Sequence, residues 1–426
     1  MKYLIDCFTT DNGIRVIYET LPHFNSVSIG LWFGIGSAYE GKKDNGITHF
    51  IEHLLFKGTE KRSPRQIAVE VDAIGGQINA FTAKEYTCLY CKLLDEHIEL
   101  GFDILSDMVI NSLFDEAEIA KEKGVILEEI CMYEDSPEDL VYENLAKNYF
   151  LNHPLALPII GRTQNIRAFT RKQIVDFYHS YFTPNNLVIS VAGKFNKERL
   201  KDLINKYFAS WNVKGKQPVK KKVKDTGTGI SYNKKDIEQI HLSFAFPGVE
   251  LKSEAFYPSQ VLNSILGGSM SSRLFQKVRE DKGLVYSIYS FPLAYMAGGM
   301  FVISTSMKTD HITEVLKIVI EELETLRNKG ISETELTMAK DHLKGNYIMG
   351  LESADSRITA LGMNKLLLDY VSSPAETIKK INDVSLAQVS SCIDMIFGAK
   401  KYTVSTVSSN DMTEEISNLF KESNYL

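Results

Sequence analysis

The tightest constraint on the fold is an internal repeat. The chain reads as two halves with the same order of hydrophobic patterns, the mark of a duplicated structural unit. An alternating run at 27–33 opens the first half, and one at 240–246 opens the second. Alternation of this kind predicts strands with one buried face. A helix-like segment follows each, at 47–56 and 257–266. Ser63-Pro64 then starts a helix with Ile67, Val71 and Ile74 at helical spacing, stopped by Gly75-Gly76. Strand-rich stretches run over 77–94 and 287–307, with a turn expected at Gly298-Gly299. The capping patterns Asp115-Glu116-Ala117-Glu118 and Ser332-Glu333-Thr334-Glu335 stand 217 residues apart, and each begins a helix. Late in each half a helix leads into a strand, 166–181 into 187–191 and 381–397 into 402–407. The expected fold is α+β: two homologous domains, each a mixed or antiparallel sheet with helices packed on one face.

The halves meet at 214–229. Six of the first eleven residues there are Lys, with Pro218 among them and no periodicity. This reads as a linker between an N-terminal domain, 1–213, and a C-terminal domain, 230–426. An edge strand with a solvated Lys face is the other reading. Composition excludes several classes. A net charge of -6 argues against nucleic acid as the main partner. Five scattered cysteines, Cys7, Cys88, Cys91, Cys131 and Cys392, do not form a disulfide framework and suit a reducing compartment. No stretch of 18 apolar residues and no secretory pattern is found, so the expectation is a cytoplasmic protein without a membrane span.

The chemistry concentrates in Thr48-His49-Phe50-Ile51-Glu52-His53-Leu54-Leu55-Phe56. Residues four apart share a helix face, so His49 and His53 present two imidazoles one turn apart. Such a pair suits a tetrahedral Zn²⁺ site, and Glu52 lies beside them as a candidate base. The order H-x-x-E-H is the inverse of the familiar zinc-protease motif. Two satisfied histidines and a solvated Glu on an amphipathic helix would give the same letters. A third ligand is sought in 122–130, where Glu122 and Glu129 lie two turns apart on one face with Val125 and Ile126. Read alone, that segment is more simply an acidic solvated helix. The repeat favours the metal reading. A shift of 217 residues puts Ala339 at the place of Glu122 and Asn346 at that of Glu129, and 257–266 has no H-x-x-E-H. The metal-type residues are present together in one half and absent together in the other.

With these residues in view, the chain resembles the inverzincin peptidases, the family of pitrilysin, insulin-degrading enzyme and mitochondrial processing peptidase. It is most similar to the short bacterial members of the processing-peptidase branch. The family pattern places E-x-x-x-x-x-x-E so that its last Glu follows the second His by 76 residues, as Glu129 follows His53 here. The resemblance implies one Zn²⁺ per chain held by His49, His53 and Glu129, with Glu52 as general base and Glu122 behind the ligands. Further matches span most of the chain. The stretch 75–82 resembles the edge strand that pairs with substrate backbone, which implies substrate contacts at Asn79, Ala80 and Phe81. The stretches 153–161 and 182–187 resemble the family's later first-half pattern. Arg279 through Tyr286 resembles an R-x₆-Y element, with Arg279 holding substrate backbone and Tyr286 stabilising the oxyanion. A charged helix end followed by a strand Tyr is the plain alternative. The glycine-rich loop of the non-catalytic processing-peptidase subunit has no good counterpart.

The implied activity is a zinc metalloendopeptidase that hydrolyses peptides or unfolded segments inside an enclosed chamber. The implied assembly is a homodimeric clamshell in which Arg279 and Tyr286 serve the partner's zinc site. The competing readings are a non-catalytic processing-peptidase-like scaffold and a peptide-binding module with structural zinc. Neither needs His49, Glu52, His53 and Glu129 together, and a structural zinc is normally closed by four protein ligands. The Cys88-x-x-Cys91 spacing lies in a predicted strand, where alternation sends the two sulfurs to opposite faces. It carries no metal or redox expectation.

Overall fold

The computed structural model describes residues 5–422. The first of two sheets contains β1 (Ile5–Thr9), β2 (Arg15–Thr20), β3 (Ser26–Phe33), β4 (Gln77–Thr82), β5 (Thr87–Leu94) and β6 (Leu187–Gly193). Their order is β1-β2-β6-β3-β5-β4, with β2 and β6 parallel and the other neighbours antiparallel. The second contains β7 (Gly229–Lys234), β8 (Gln239–Pro247), β9 (Val285–Ala294), β10 (Gly299–Lys308) and β11 (Thr403–Ser408). Its order is β7-β11-β8-β10-β9, again with one parallel pair, β7 and β11. Strand for strand it repeats β2-β6-β3-β5-β4. The duplicated hydrophobic pattern is thus a duplicated topology, and the fold is α+β.

The chain packs as two compact units, each built around one sheet. The first takes in the chain up to Cys131, Leu157–Val219 and Ile348–Pro374. The second takes in Met132–Ala156, Lys220–Tyr347 and the chain from Ala375 onward. The packing therefore departs from a division at 213 and 230 in two places. Segment 132–156 belongs with the second sheet, and 348–374 with the first. Residues 211–228 form neither helix nor strand, and Gly229, the last residue of the expected linker, opens β7.

The exchange has a physical cause in the strands. In β3, Val27, Ile29, Leu31 and Phe33 enter one apolar cluster under the helices of the first half. Trp32, on the opposite face, enters another with Ile17, Cys88 and Val188. Both faces are thus buried, where alternation alone suggested one. The helix Ala354–Leu368 covers the second face with Ile358, Leu361 and Leu366. Gly362 makes this approach possible, because a Cβ there would lie 2.1 Å from Trp32 Nε1. The indole N–H donates to Ser190 Oγ at 2.8 Å. A buried ion pair, Arg357 to Glu19 at 2.6 Å, ties the same helix to β2. In the second unit the helix Pro137–Phe150 plays the corresponding part on β8 and β11. There the Tyr149 hydroxyl donates to the Gly299 carbonyl at 3.0 Å, and the Tyr142 and Tyr289 hydroxyls share a hydrogen bond.

All five cysteines are unpaired, and Cys88 and Cys91 lie on opposite faces of β5. Among the described residues no helix is long and apolar enough to cross a membrane.

Candidate metal centre

The helix Ile47–Leu55 carries His49, Glu52 and His53. Its apolar neighbours Phe50, Ile51, Leu54 and Leu55 are buried and hold it against the sheet. Its start is fixed by Glu40, a buried carboxylate. This group accepts hydrogen bonds from the Gly46 N–H at 2.8 Å, the Thr48 N–H at 2.9 Å and the Asn45 carboxamide at 3.1 Å. These backbone donors are among those a helix start leaves unpaired, and an anion there also meets the positive end of the helix dipole. Gly46 has φ +97 and packs so closely that a Cβ would meet Gly161 Cα at 2.7 Å.

The second helix, Glu116–Asp135, starts on the Asp115 carboxylate, which accepts from the N–H groups of Ala117 and Glu118 at 2.8 and 3.1 Å. It buries Ile119, Glu122, Ile126 and Ile130. Val125, expected on the same face, is instead 49% exposed. Glu122 sits among the apolar side chains, and Glu129 lies at the face's margin with 31% of its side chain exposed.

These two helices bring the candidate ligands together. One nitrogen each from His49 and His53 and one oxygen of Glu129 lie within 4.8 Å of one another. His49 Nε2 is 3.8 Å and His53 Nε2 is 3.6 Å from Glu129 Oε2. A tetrahedral zinc with bonds of roughly 2.0–2.1 Å sets its ligand atoms about 3.3 Å apart, and the two histidine nitrogens stand within about half an ångström of that spacing from Glu129. Among the described residues no fourth His, Cys, Asp or Glu joins the group, the ligand count of a catalytic rather than a structural zinc. Burial, and then the neighbouring His53, push the His49 imidazole down to about 3. It is therefore neutral near physiological pH, the form that binds a metal. These donors fit zinc.

The supporting residues are equally specific. His53 Nδ1 is 3.1 Å from Glu122 Oε2, which leaves Nε2 free to face Glu129. Lys57 Nζ is 2.7 Å from the other oxygen of Glu122. The arrangement is a carboxylate–histidine pair of the kind that orients metal ligands, with a cation holding the carboxylate. Replacing Lys57 with Met is expected to weaken zinc binding about 10–100-fold, measured by chelator competition, while Lys57→Arg stays near wild type. An unchanged affinity in the Met variant would remove Lys57 from the site.

Glu52 is half-buried, and its Oε2 accepts a hydrogen bond from Thr82 Oγ1 at 2.6 Å. Burial pushes its carboxyl above the ordinary range, against the opposing pull of the Thr82 hydroxyl and His53. Thr82 is the last residue of β4, which lies at the edge of its sheet. Asn79, Ala80 and Phe81 sit on the same strand. The Ala80 N–H is taken by the Asn79 side chain at 2.8 Å. Phe81 packs on Trp32 and Tyr86, so its ring lies on the face away from the histidine helix.

Arg279 and Tyr286 belong to the second unit. Arg279 lies on a π-helical turn, Phe275–Glu280. Its guanidinium carbon is 4.6 Å from the Phe275 ring centre and 5.5 Å from that of Tyr286. Tyr286 is 82% exposed. Three supporting residues escaped the sequence reading: Glu40, Lys57 and Thr82. Lys57 had a local signal, four residues after His53 and just past the end of the helix. Thr82 had none, because it reaches Glu52 from a strand 30 residues away.

Comparison with known proteins agrees with this picture. Residues 15–163 match the family model described as "Insulinase (Peptidase family M16)", and 168–343 match "Peptidase M16 inactive domain". The "uncharacterized zinc protease YmxG" of Bacillus subtilis is 42% identical over 405 residues, covering 95% of this chain and 98% of that protein. The chain belongs to peptidase family M16. An "uncharacterized zinc protease" of Rickettsia felis is 34% identical over 400 residues, covering 94% of this chain and 96% of its own length. Relatives with these names support a peptidase role and zinc as the metal for this M16 chain. All of the candidate metal residues fall in the part matched by the first family model. Two solved structures share the fold, each with a TM-score of 0.89. One is a protease from Helicobacter pylori, 21% identical, covering 96% of this chain and 100% of that one. The other is a "peptidase M16 inactive domain" from Pseudomonas fluorescens, 20% identical, covering 96% and 98%.

Proposed function

We propose that this M16 chain is a zinc-dependent endopeptidase acting on peptides or unfolded segments in the cytoplasm. The observation that carries the reading is the convergence of His49, His53 and Glu129 within 4.8 Å, with the half-buried carboxylate of Glu52 on the same helix. Zinc held by those three residues supplies Lewis acidity, polarising a carbonyl and making a water acidic enough to attack near neutral pH.

The remaining work falls to the chain's own groups. Glu52 takes a proton from the attacking water and delivers it to the leaving amine. Burial raises its proton affinity above that of a free carboxylate, which favours taking up the proton before it is handed on. Glu122 and Lys57 hold the His53 ring in place. The substrate lies extended along the free edge of β4 beside Asn79, Ala80 and Phe81, where backbone pairing gives affinity without strict reading of sequence. Arg279 donates to a substrate carbonyl, and the Tyr286 hydroxyl donates to the oxyanion of the tetrahedral intermediate. A scaffold would have no use for His49, Glu52, His53 and Glu129 together.

The working assembly in this proposal is a homodimer that closes as a clamshell around a chamber, each chain lending Arg279 and Tyr286 to its partner's metal centre. Mixing a Glu52→Gln chain with a Tyr286→Phe chain should restore part of the activity, because one of the two sites in a mixed dimer is then intact. Mixed dimers as inactive as their parents would count against the exchange. Zinc analysis together with cleavage of a casein digest, for wild type and Glu52→Gln, tests the peptidase reading directly.

A further inference from the structure

We propose that Thr82 is the positioning residue for Glu52 and that it marks where peptide pairing along β4 stops. The inference deepens the peptidase reading and rests on it. Thr82 ends an edge strand whose other side pairs with β5 in an antiparallel register, Asn79 opposite Tyr90 and Phe81 opposite Cys88. In such a pair the backbone N–H groups point alternately toward the partner and away from it. The Ala80 N–H bonds the Asn79 side chain rather than β5, and the Ala83 N–H returns to the Tyr86 carbonyl at 2.8 Å. Residues 78, 80 and 82 therefore face the open edge, and 79, 81 and 83 face β5.

At the third open position the edge is already occupied. The Thr82 hydroxyl donates to Glu52 Oε2 at 2.6 Å. The Thr82 N–H supports the same carboxylate. A peptide added to this edge can pair at Ile78 and at the Ala80 carbonyl, and at the Ala80 N–H once the Asn79 side chain releases it. One step further, roughly 7 Å along the strand, it meets the base instead of a free backbone group. The strand that grips the substrate and the group that activates the water are thus joined through one side chain. Positioning of this kind matters because a misplacement of about 1 Å can cost on the order of 10²-fold in rate. Thr82 touches neither the metal ligands' donor atoms nor, in this scheme, the reacting bond. Its effect passes through Glu52.

The test uses full-length, zinc-loaded protein carrying Thr82→Val, which removes the hydroxyl at nearly constant shape, or Thr82→Ser, which keeps it. A peptide from the casein digest that wild type cleaves serves as substrate, and its fluorescein-labelled form serves as the binding probe. In Thr82→Val, kcat should fall by about 10–100-fold. KM, zinc per chain and the peptide's Kd for zinc-free protein should stay within about twofold, since the pairing edge is untouched. Thr82→Ser should recover kcat to within about threefold, because the donor is restored. Three results overturn the proposal: an unchanged kcat in the Val variant, a loss of peptide affinity as large as the loss of kcat, or a Ser variant as impaired as Val. If Glu52→Gln abolishes cleavage while Thr82→Val does not, this inference alone fails. If wild type cleaves nothing, the peptidase reading fails and takes this inference with it.

Discussion

Glu52→Gln is expected to keep one zinc per chain and to lower peptide turnover by about 10²–10⁴-fold, the usual worth of a general base. The side chain is not one of the three converging ligands, so its loss leaves the metal's donors in place. Gln preserves shape and an oxygen for the Thr82 hydroxyl but has no proton-accepting carboxylate. The surroundings of Glu52 already favour the protonated form more than water does, chiefly through burial. Metal analysis and turnover on a cleaved casein peptide check the expectation together. Turnover within threefold of wild type would falsify the base assignment. Loss of zinc in the variant would instead make Glu52 part of the metal's support.

The largest expected effect on stability lies far from the metal. Arg357→Met should destabilise the first unit by about 3–5 kcal/mol, the usual result of stripping one partner from a buried ion pair. The pair joins Arg357, with 8% of its side chain exposed, to Glu19, with 3% exposed, at 2.6 Å. The guanidinium also donates to the Leu351 carbonyl at 2.5 Å. Removing it leaves the Glu19 carboxylate in an apolar layer beside Ile17 and Ile358. For a unit of this size the melting temperature should drop by about 10 °C or more. Adding Glu19→Leu to Arg357→Met should recover most of the loss, since two apolar groups replace a buried pair at little cost. A single variant that melts within about 2 °C of wild type would mean that the pair does not hold the exchanged helix.

Much of the site was legible in the residues because its logic is local. His49 and His53 share a face through helical periodicity alone, and Glu122 and Glu129 share theirs through two turns of another helix. The absence of all these residues from the matching positions near Ala339 and Asn346 pointed to a single centre in the first half. Val125 departed from its expected face because the two-turn spacing of Glu122 and Glu129 does not say which flank of the stripe is buried. The structure buries the flank of Ile119, Ile126 and Ile130. The bond from Thr82 to Glu52 was invisible for a different reason. A hydrogen bond between a strand end and a helix depends on how they dock, and no period relates the two.

The same distinction runs through the fold. Hydrophobic alternation and helix caps are short-range signals, so they were enough for the α+β class, for the repeated order of elements and for the histidine helix. The exchange of segments 132–156 and 348–374 between the units has no such signature. An amphipathic helix states that it needs an apolar partner, but not which sheet supplies it. That choice rests on contacts across hundreds of residues, Gly362 on Trp32 and Arg357 on Glu19, whose energies exist only once the chain has closed.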